Sequence, residues 1–384
     1  MNSTIQTAIK AGEAGVRTFS GRVVYIYAFD VAYEVKRPPP GRLLGETMEE
    51  FSVGENKRTP RHLFFFRPQM VRLPATERIG PHGPVQVERT VKLLPVGAIS
   101  ISVSVTFKVS SISELVAYHD LEFSNGALNQ EVRQLAEKIR QELLPYCIKP
   151  TEELADEEAY TVFFIDSPLL KADDGLPVKA VDWFNANRRE IAALLAQETD
   201  SQQLSQQEVN ESTERFLSYY EDDLAVLDWD AALVVQEPSQ REEALYVLEL
   251  ANLQLAELEA YDRILDRFLE RSYRDLANRT RRASGELMSE LREMRIDLTR
   301  FSDELSNTTK FFGDWHLARF FEHISARFHL KDWERTVDEK LKTLDGLYQM
   351  LNQDRLNRLM LILEVTIVLL FIIDLVVLFM GLEK

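Results

Sequence analysis

Two acidic residues within an apolar run near the C-terminus are the side chains with the clearest chemical consequence in this sequence. Residues 359–380 are almost uninterrupted hydrophobic side chains, except for Glu364 near the start and Asp374 well inside. A run of this length can cross a hydrocarbon core of roughly 30 Å as one helix. We expect Glu364 to lie at the membrane boundary. Asp374 would be too deep for that, so it is expected to be a protonated acid that joins helices, or else a proton or cation site.

A dense group of arginines stands out in a chain whose formal net charge is −17. Its members are Arg271, Arg274, Arg279, Arg281 and Arg282. Clustered guanidinium groups can bind phosphate, either in lipid headgroups or in ribosomal RNA. The same composition is typical of the solvated tip of a helical hairpin, and residues 271–283 are predicted to form such a turn. Both interpretations, an anionic-ligand patch and a plain hairpin tip, remain open at this point.

The histidines and the remaining acidic residues predict no metal centre. His316 and His323 are seven residues apart and share a helix face, but a zinc site needs further ligands nearby. Four acids lie in one short segment: Asp222, Asp223, Asp228 and Asp230. They lack the loop glycine and regular spacing of an EF-hand, so solvated turn acids are the favoured interpretation. Asp228 and Asp230 flank Trp229, and in a strand both would point to one face. If that face is buried, they are the first acids to mutate.

Composition excludes several classes of function. Cys147 is the single cysteine, so the chain has no internal disulfide and no thiolate cluster for zinc or iron–sulfur. No glycine-rich phosphate loop, nucleophile elbow or HExxH zinc motif occurs. The acidic balance argues against a surface that binds duplex DNA. No cofactor is predicted, and the lack of catalytic motifs favours a non-enzymatic role.

An α+β fold must position these residues, because the periodicity changes along the chain. Up to about residue 238, strand-like and helix-like segments alternate, and beyond it the pattern is almost entirely helical. The predicted fold is an N-terminal mixed α/β module, a long C-terminal helical hairpin or coiled coil, and one C-terminal transmembrane helix. The predicted parts are an N-terminal tail (1–16), the mixed α/β module (17–238), long antiparallel helices (239–329), a helical stalk (330–358) and the transmembrane helix (359–382).

Alternating apolar and polar residues predict the strands of the module. The clearest strand covers residues 99–109, where isoleucine, valine and phenylalanine alternate with serine and threonine. One face of this strand should pack, while the small polar face meets water or a closely packed neighbour. The other predicted strands are 19–35, 61–66, 85–94, 160–165, 216–220, 224–228 and 231–236. The predicted helices are 113–119, 129–144 and 179–197, and the polar residues 198–214 are predicted to form an exposed loop or linker.

Narrow apolar stripes predict the long helices. Residues 248–269 and 287–305 carry apolar side chains at heptad-like spacing, which is typical of helices that pack on partner helices within or between chains. A third stripe begins near Leu330 and meets the apolar run without a Pro or Gly cluster. If residues 330–380 form one helix, it is about 76 Å long. We therefore predict a helical stalk and a helix-mediated homo-oligomer.

The flanking sequences indicate how the chain would lie in a membrane. Residues 1–16 lack the apolar segment of a signal peptide and resemble a mitochondrial transit peptide poorly. Arg355 and Arg358 precede the apolar run, whereas Lys384 beside an acid follows it. This asymmetry favours a cytoplasmic N-terminal bulk. The prediction is a tail-anchored, single-pass protein of a bacterial inner membrane.

Residues 27–35 and 333–376 resemble two segments of the family named for "required for meiotic nuclear division", whose bacterial members are of YagE type. Residues 27–35 (YAFDVAYEV) are similar to an early segment of that family. Residues 333–376 are similar to its ending, in which Leu363-Glu364 opens the span and Ile373-Asp374 lies inside it. The tryptophan- and glycine-containing strand of the family is replaced here by residues 61–68. The resemblance implies a membrane-anchored protein without known catalysis, with a protein or ribosome partner.

The sequence therefore favours a membrane-anchored, non-enzymatic scaffold or tether that presents a cytoplasmic α/β module to a macromolecular partner. One alternative is an oligomeric ion channel or transporter that uses Asp374. Another is an enzyme with a pocket in the α/β module around Trp229.

Overall fold

The chain forms two compact units in the computed structural model. The first comprises Met1–Ala260 and Asp303–Trp333, and the second comprises Tyr261–Ser302 and Glu334–Lys384. The structure describes residues 18–35, 41–51, 69–94, 97–123, 126–151, 153–154, 157–170, 175–278, 292, 295–296, 315–379 and 381. All described strands belong to the first unit, which is therefore the mixed α/β part of the molecule.

The described elements follow one another in a fixed order of strands and helices. The strands are β1 (Phe19–Asp30), β2 (Ala32–Val35), β3 (Arg42–Leu43), β4 (Glu46–Thr47), β5 (Glu49–Glu50), β6 (Gln69–Gly80), β7 (Gly83–Leu93), β8 (Ala98–Val109), β9 (Glu122–Phe123), β10 (Gly126–Ala127), β11 (Cys147–Pro150), β12 (Glu158–Asp166), β13 (Phe216–Leu217), β14 (Leu224–Leu227) and β15 (Ala231–Gln236). The α-helices are α1 (Leu128–Leu143), α2 (Ala180–Ala186), α3 (Arg188–Leu195), α4 (Gln206–Ser212), α5 (Arg241–Asn278), α6 (Trp315–Arg327) and α7 (Leu330–Phe379). Short 3₁₀ helices cover Ser113–Tyr118, Leu144–Tyr146, Ser201–Gln203 and Pro238–Gln240.

Nine of the described strands form one sheet in the order β13-β14-β15-β12-β1-β8-β7-β6-β5. Neighbouring strands are antiparallel, except that β12 and β15 are parallel. Strand β1 lies in the interior of the sheet, where it pairs with β8 over its whole length and with β12 over most of it. Since side chains alternate between the two faces of a strand, this register decides which residues can meet.

One face of the sheet carries the main hydrophobic core. Every second residue of β1 and β8 is buried there, including Tyr25, Ile101 and Val103. Helices α1 and α3 pack on this face through apolar side chains such as Ile139 and Leu194. At roughly 25 cal/mol per Å² of apolar area removed from water, this core is the main source of the unit's stability.

The first part of α5 packs on the opposite face of the sheet. Leu253 contacts Ala28 and Ala98, and Leu250 belongs to a second small cluster with Met70. The serine face of β8 lies here, and Ser100 and Ser102 are buried rather than in water. From the sequence, this face is expected to meet either water or a closely packed neighbour. At Ser100 and Ser102 it meets a closely packed neighbour.

Most predicted elements are confirmed to within a few residues. The predictions 85–94, 99–109, 129–144, 160–165 and 231–236 correspond to β7, β8, α1, β12 and β15. The mixed α/β module, the C-terminal helices and one apolar C-terminal helix are likewise confirmed.

The prediction of one strand over residues 19–35 was wrong at Val31. The backbone N–H groups of Val31 and Ala32 both donate to Gly97 O, at 3.0 Å each. The Val31 carbonyl then accepts from Thr151 N at 3.0 Å, which directs β2 away from β8 and onto β11. The chain therefore makes two strands where the uninterrupted β-propensity predicts one.

The prediction of one helix over residues 179–197 was also wrong, because Asn187 divides it into α2 and α3. The Asn187 side-chain amide donates to Trp183 O at 2.8 Å, an alternative to the helical ladder that asparagine often provides. The predicted loop 198–214 contains α4, which Ser205 caps by accepting from Glu208 N at 3.1 Å. Two residues of this otherwise polar helix are buried, Val209 and Ser212.

Strand β6 was not predicted, and the predicted strand 61–66 lies outside the described residues. In β6 only Met70 and Val71 are buried, and the pairing with β7 shifts register between Leu73 and Thr76. A strand that is mostly exposed and interrupted by a bulge shows little apolar alternation in its sequence.

In the second unit the helices are joined by ion pairs and apolar contacts. Lys340 Nζ lies 2.6 Å from both Asp262 Oδ1 and Asp266 Oδ1, while Leu265 and Leu344 are buried. Burial lowers the pKa of Lys340, but the hydrogen bonds to the two carboxylates outweigh it, so the pKa is raised.

The long helices agree in part with the stripes in the sequence. The helix predicted from the stripe in residues 248–269 is confirmed as part of α5. The helix predicted from the third stripe is confirmed as α7, which continues as one helix to Phe379. Nearly all of the stripe in residues 287–305 lies outside the described residues. The predicted turn at residues 271–283 was wrong in its first half, because α5 extends to Asn278.

Candidate functional site

A cleft of about 540 Å³, lined by both charged and apolar side chains, lies in the first unit between the α5 side of the sheet and the beginning of α5. We call it the sheet cleft. Charged and hydroxyl side chains that line it are Arg22, Arg72, Glu88, Thr90, Lys92, Ser102, Ser104, Arg241 and Glu242. Apolar residues complete the wall, among them Val24, Met70 and Phe164.

The pairing register brings these side chains to one face of the sheet. Thr90 of β7 pairs with Ser102 of β8, and Glu88 pairs with Ser104. Ser104 in turn lies beside Val24 of β1, and Phe164 of β12 lies beside Arg22. Because residues two apart in a strand share a face, four neighbouring strands contribute to one surface. On it the charged and hydroxyl side chains lie beside the apolar Val24 and Phe164.

Ion pairs hold the charged side chains along the mouth of the sheet cleft. Arg22 Nη1 donates to Glu88 Oε2 at 2.6 Å, with 38% and 45% of the two side chains exposed. Arg72 Nη2 and Glu242 Oε1 are 3.5 Å apart and more exposed still. Exposed pairs of this kind contribute only about 0–1 kcal/mol to stability, so their partners can be exchanged at little cost.

Arg241, the first residue of α5, forms a deeper wall. It pairs with Asp166, and only 14% of its side chain is exposed. Burial lowers the pKa of Arg241, and the positive charge of Arg22, which lines the same cleft, lowers it further. Arg241 Nε has no hydrogen-bond partner among the described residues.

Lys92 closes the inner end of the sheet cleft. It forms a buried ion pair with Glu249 of α5, and its amine lies 4.2 Å from the centre of the Phe51 ring. Tyr246 is the next aromatic ring around the amine, at 5.7 Å. Lys92 thereby joins α5 to the sheet, and it is the most enclosed cation of the cleft.

Arg89 also borders the sheet cleft, but its guanidinium is engaged elsewhere. It donates to Thr76 Oγ1 at 3.1 Å and to Glu131 Oε2 at 3.4 Å. The other cations that line the cleft are therefore Arg22, Arg72, Lys92 and Arg241.

The two acids of the apolar run lie on α7, within the second unit. Leu359–Phe379 is one segment long and apolar enough to span a membrane, with a mean hydropathy of 2.9 and none of it buried within the chain. Glu364 and Asp374 are both exposed in the isolated chain. At about 100° per residue, they lie roughly 80° apart around the helix axis.

The predicted arginine patch is only partly within the described residues. Arg271 and Arg274 lie on α5, and Arg274 Nη2 is 3.1 Å from Glu270 Oε1. Arg279, Arg281 and Arg282 lie outside the described residues. The patch stays a prediction.

From the sequence, Asp228 and Asp230 are expected to point to one face if they lie in a strand, but neither residue lies in a strand. Both lie in the turn between β14 and β15, where Asp228 N donates to Ala231 O at 2.9 Å. Asp228 is buried and pairs with Arg327 of α6, whereas Asp230 is exposed. Trp229 stacks on His329 with the ring centres 5.2 Å apart.

The remaining acids of that segment accept hydrogen bonds within the first unit. Asp222 accepts from Ser167 Oγ at 3.1 Å, and Asp223 accepts from Tyr219 N at 2.6 Å. Asp223 thus stabilises the local backbone before β14, whereas Asp222 links this segment to the residue that follows β12.

Both singled-out histidines lie on α6. His316 contacts the ring of Tyr219, with the centres 5.1 Å apart. Burial lowers the pKa of His323, and the nearby charges of Arg319 and Arg215 lower it further. The described part of the chain contains no group of three or more His, Cys, Asp or Glu side chains that could hold a metal ion.

The sheet cleft was not predicted from the sequence. A signal for it was present, because Glu88, Thr90 and Lys92 alternate with Val87, Arg89 and Val91 in β7, while serines alternate with apolar residues in β8. Neither pattern shows that the two strands are neighbours, and the contribution of α5 requires the tertiary fold.

Comparison with known proteins identifies relatives of the first unit. Residues 20–241 match the family model described as "Uncharacterized protein MJ0711, N-terminal domain". The uncharacterized protein MJ0711 of Methanocaldococcus jannaschii is 23% identical over 176 residues, which are 46% of this chain and 55% of that protein. The chain thus spans about half the length of this curated relative. No solved structure matches the chain.

The family model and the archaeal relative test part of the family resemblance seen in the sequence. They confirm that the chain contains a domain of an uncharacterised family. They give no support to the family named for meiotic nuclear division or to a bacterial origin, since the matched relative is archaeal.

Proposed function

The chain belongs to the family of the N-terminal domain of uncharacterized protein MJ0711, and from this premise we propose that it is a membrane-anchored, non-enzymatic scaffold. In this proposal α7 holds the α/β module at a membrane, where the module engages a macromolecular partner. Arg355 and Arg358 before the apolar segment favour a cytoplasmic module. The proposal keeps the inner membrane of a bacterium as its location, and the resemblance in the sequence makes the ribosome the first partner to test.

The observation that carries the proposal is the surface of α7. Twenty-one consecutive residues, Leu359–Phe379, have a mean hydropathy of 2.9, and none of that segment is buried within the chain. Exposed apolar area of this extent is strongly unfavourable in water. A helix of 50 residues is about 75 Å long, so more than half of α7 would lie outside a hydrocarbon core of roughly 30 Å.

Asp374 supports the oligomeric form of the scaffold. Its side chain is exposed among leucines, isoleucines and valines of the same helix. In a bilayer such an acid usually faces another helix, where hydrogen bonds between helices contribute about 0.6–2 kcal/mol. A second copy of α7 can supply that partner.

Crosslinking and mass determination of the full-length protein in native membranes test this proposal. We expect a defined homo-oligomer that persists in Asp374→Asn, which keeps hydrogen bonding, and dissociates in Asp374→Leu. Glu364→Leu is the matched control, because the same change near the membrane boundary should leave the assembly intact. A strictly monomeric wild type that captures no partner would contradict the scaffold proposal.

A further inference from the structure

We propose that the sheet cleft binds the phosphate group of a small organic phosphate. The inference concerns the first unit alone and does not depend on the membrane anchor. It rests on the donors that converge on one cavity, on the size of that cavity, and on its partly apolar wall.

Two guanidinium groups supply the main donors. Arg22 and Arg241 line the same cavity, and each is engaged by a single carboxylate in the described structure. A guanidinium carries five N–H donors, so both retain donors for a second anion. A phosphate oxygen pair matches the fork of a guanidinium, which makes arginine the preferred side chain for this ligand.

Hydroxyl groups and a helix N-terminus surround the same space. Ser102, Ser104 and Thr90 line the cavity opposite the start of α5. The first backbone N–H groups of a helix have no partner within the helix and attract anions. The N-terminus of α5 carries the positive partial charge of a helix dipole, which Glu242 and Glu243 in the first turn partly offset.

The carboxylates of the sheet cleft oppose an anion and must be accounted for. Glu88 and Glu242 lie at its mouth, where their side chains are 45% and 72% exposed and can turn into water. A phosphate dianion competes with the single charge of Glu88 for Arg22. The affinity should therefore be limited by Glu88 and should rise when that charge is removed.

The dimensions of the sheet cleft select an organic phosphate rather than a bare ion. Its volume of about 540 Å³ falls within the range typical of small-molecule sites. Val24, Met70 and Leu245 provide apolar surface beside the donors. A phosphate ester of a nucleoside, or of a glycerol that carries short acyl chains, would use both parts of the wall.

Isothermal titration of the full-length chain in uncharged detergent micelles tests the inference. The phosphate probes are ATP, for a soluble source, and dihexanoyl phosphatidate, for a lipid headgroup. Adenosine and dihexanoylglycerol are their uncharged counterparts. Binding of either phosphate probe without its counterpart supports the site, and the probe that binds identifies the source.

Three variants separate the sheet cleft from unspecific charge attraction. Arg22→Gln should weaken binding at least about tenfold, since it removes a charge-assisted contact. Glu88→Gln should strengthen binding several-fold, an effect that a misfolded variant would not produce. Arg335→Gln removes the same charge from an exposed position of the second unit and should bind like the wild type.

The inference is overturned if neither phosphate probe binds the wild type, or if the uncharged counterparts bind equally well. It is also overturned if Arg22→Gln binds like the wild type while all variants keep the wild-type melting temperature.

Discussion

Several polar residues of α5 are buried in the first unit, and two of them bind partners on the sheet. Glu249 pairs with Lys92, and the Asn252 side-chain amide donates to the Glu158 carbonyl at 3.0 Å. Glu257 is buried near Asp30 of β1, and its Oε1 has no hydrogen-bond partner among the described residues. Buried polar groups cost free energy unless they are paired. Among these residues of α5, Glu257 is therefore the one whose pKa burial affects most strongly.

Replacement of Glu257 by glutamine should make the melting temperature of the protein less dependent on pH. Burial raises the pKa of Glu257 well above its ordinary value of 4.5, and the charge of Asp30 raises it further. The folded state therefore keeps a proton on Glu257 that the unfolded state loses. The contribution of this residue to the free energy of unfolding then falls as the pH rises above about 4.5. Glu257→Gln should melt at a higher temperature than the wild type at pH 8, with a smaller difference at pH 4.

The control for this prediction is Glu77→Gln, which neutralises an exposed glutamate of β6. It should leave the pH dependence of the melting temperature unchanged. An equal pH dependence in Glu257→Gln and the wild type would refute the assignment of a retained proton to Glu257.

Residue chemistry alone did not reveal which acids are structural. Asp228 and Asp230 have the same side chain and lie two positions apart, yet one is buried against Arg327 and the other is exposed. The two residues differ in burial because of the turn between β14 and β15 and the position of α6. Neither the turn nor the position of the helix can be deduced from the sequence pattern.

At the scale of elements, the Asp228–Arg327 pair joins the β14–β15 turn to α6 within the first unit. Only 9% and 11% of the two side chains are exposed. Tyr160 of β12 adds a hydrogen bond from its hydroxyl to the Asp228 carbonyl at 3.0 Å, and its ring packs edge-on against Phe328. The pair therefore lies at a junction of three parts of the unit.

Removal of one partner of this ion pair should destabilise the first unit. Asp228→Ala leaves the Arg327 charge buried without a carboxylate, which typically costs about 3–5 kcal/mol. Asp230→Ala, at an exposed position two residues away, should change the free energy of unfolding by less than about 0.5 kcal/mol. Urea denaturation of the full-length variants in detergent measures both, and equal effects would contradict the structural role of Asp228.

Elements with a regular period were predictable, and those governed by tertiary contacts were not. Strand β8 alternates over its whole length, and α1 keeps a helical period until it ends before Pro145, so both were predicted within one or two residues. Strand β6 lacks alternation because most of it is exposed. The sheet cleft depends on the register of β1, β6, β7 and β8 together, and a register cannot be deduced from the separate strands.

At the scale of the whole molecule, the strongest sequence signal is also the simplest one. The apolar segment of α7 is recognised by length and hydropathy, which need no tertiary information. The net charge of −17 favours solubility of the remainder of the chain and indicates no specific partner. The membrane anchor and the sheet cleft are therefore separate hypotheses, and each can fail without the other.

Membrane insertion of α7 is tested most directly by alkaline carbonate extraction of membranes that contain the full-length protein. The wild type should stay in the membrane pellet. The double variant Leu369→Arg, Leu370→Arg should move to the supernatant, since each central arginine costs about 2.5–3.5 kcal/mol on insertion scales. The matched double variant with alanine at the same two positions should remain in the pellet. Extraction of the wild type by carbonate, or retention of the arginine variant in the pellet, would contradict the membrane anchor.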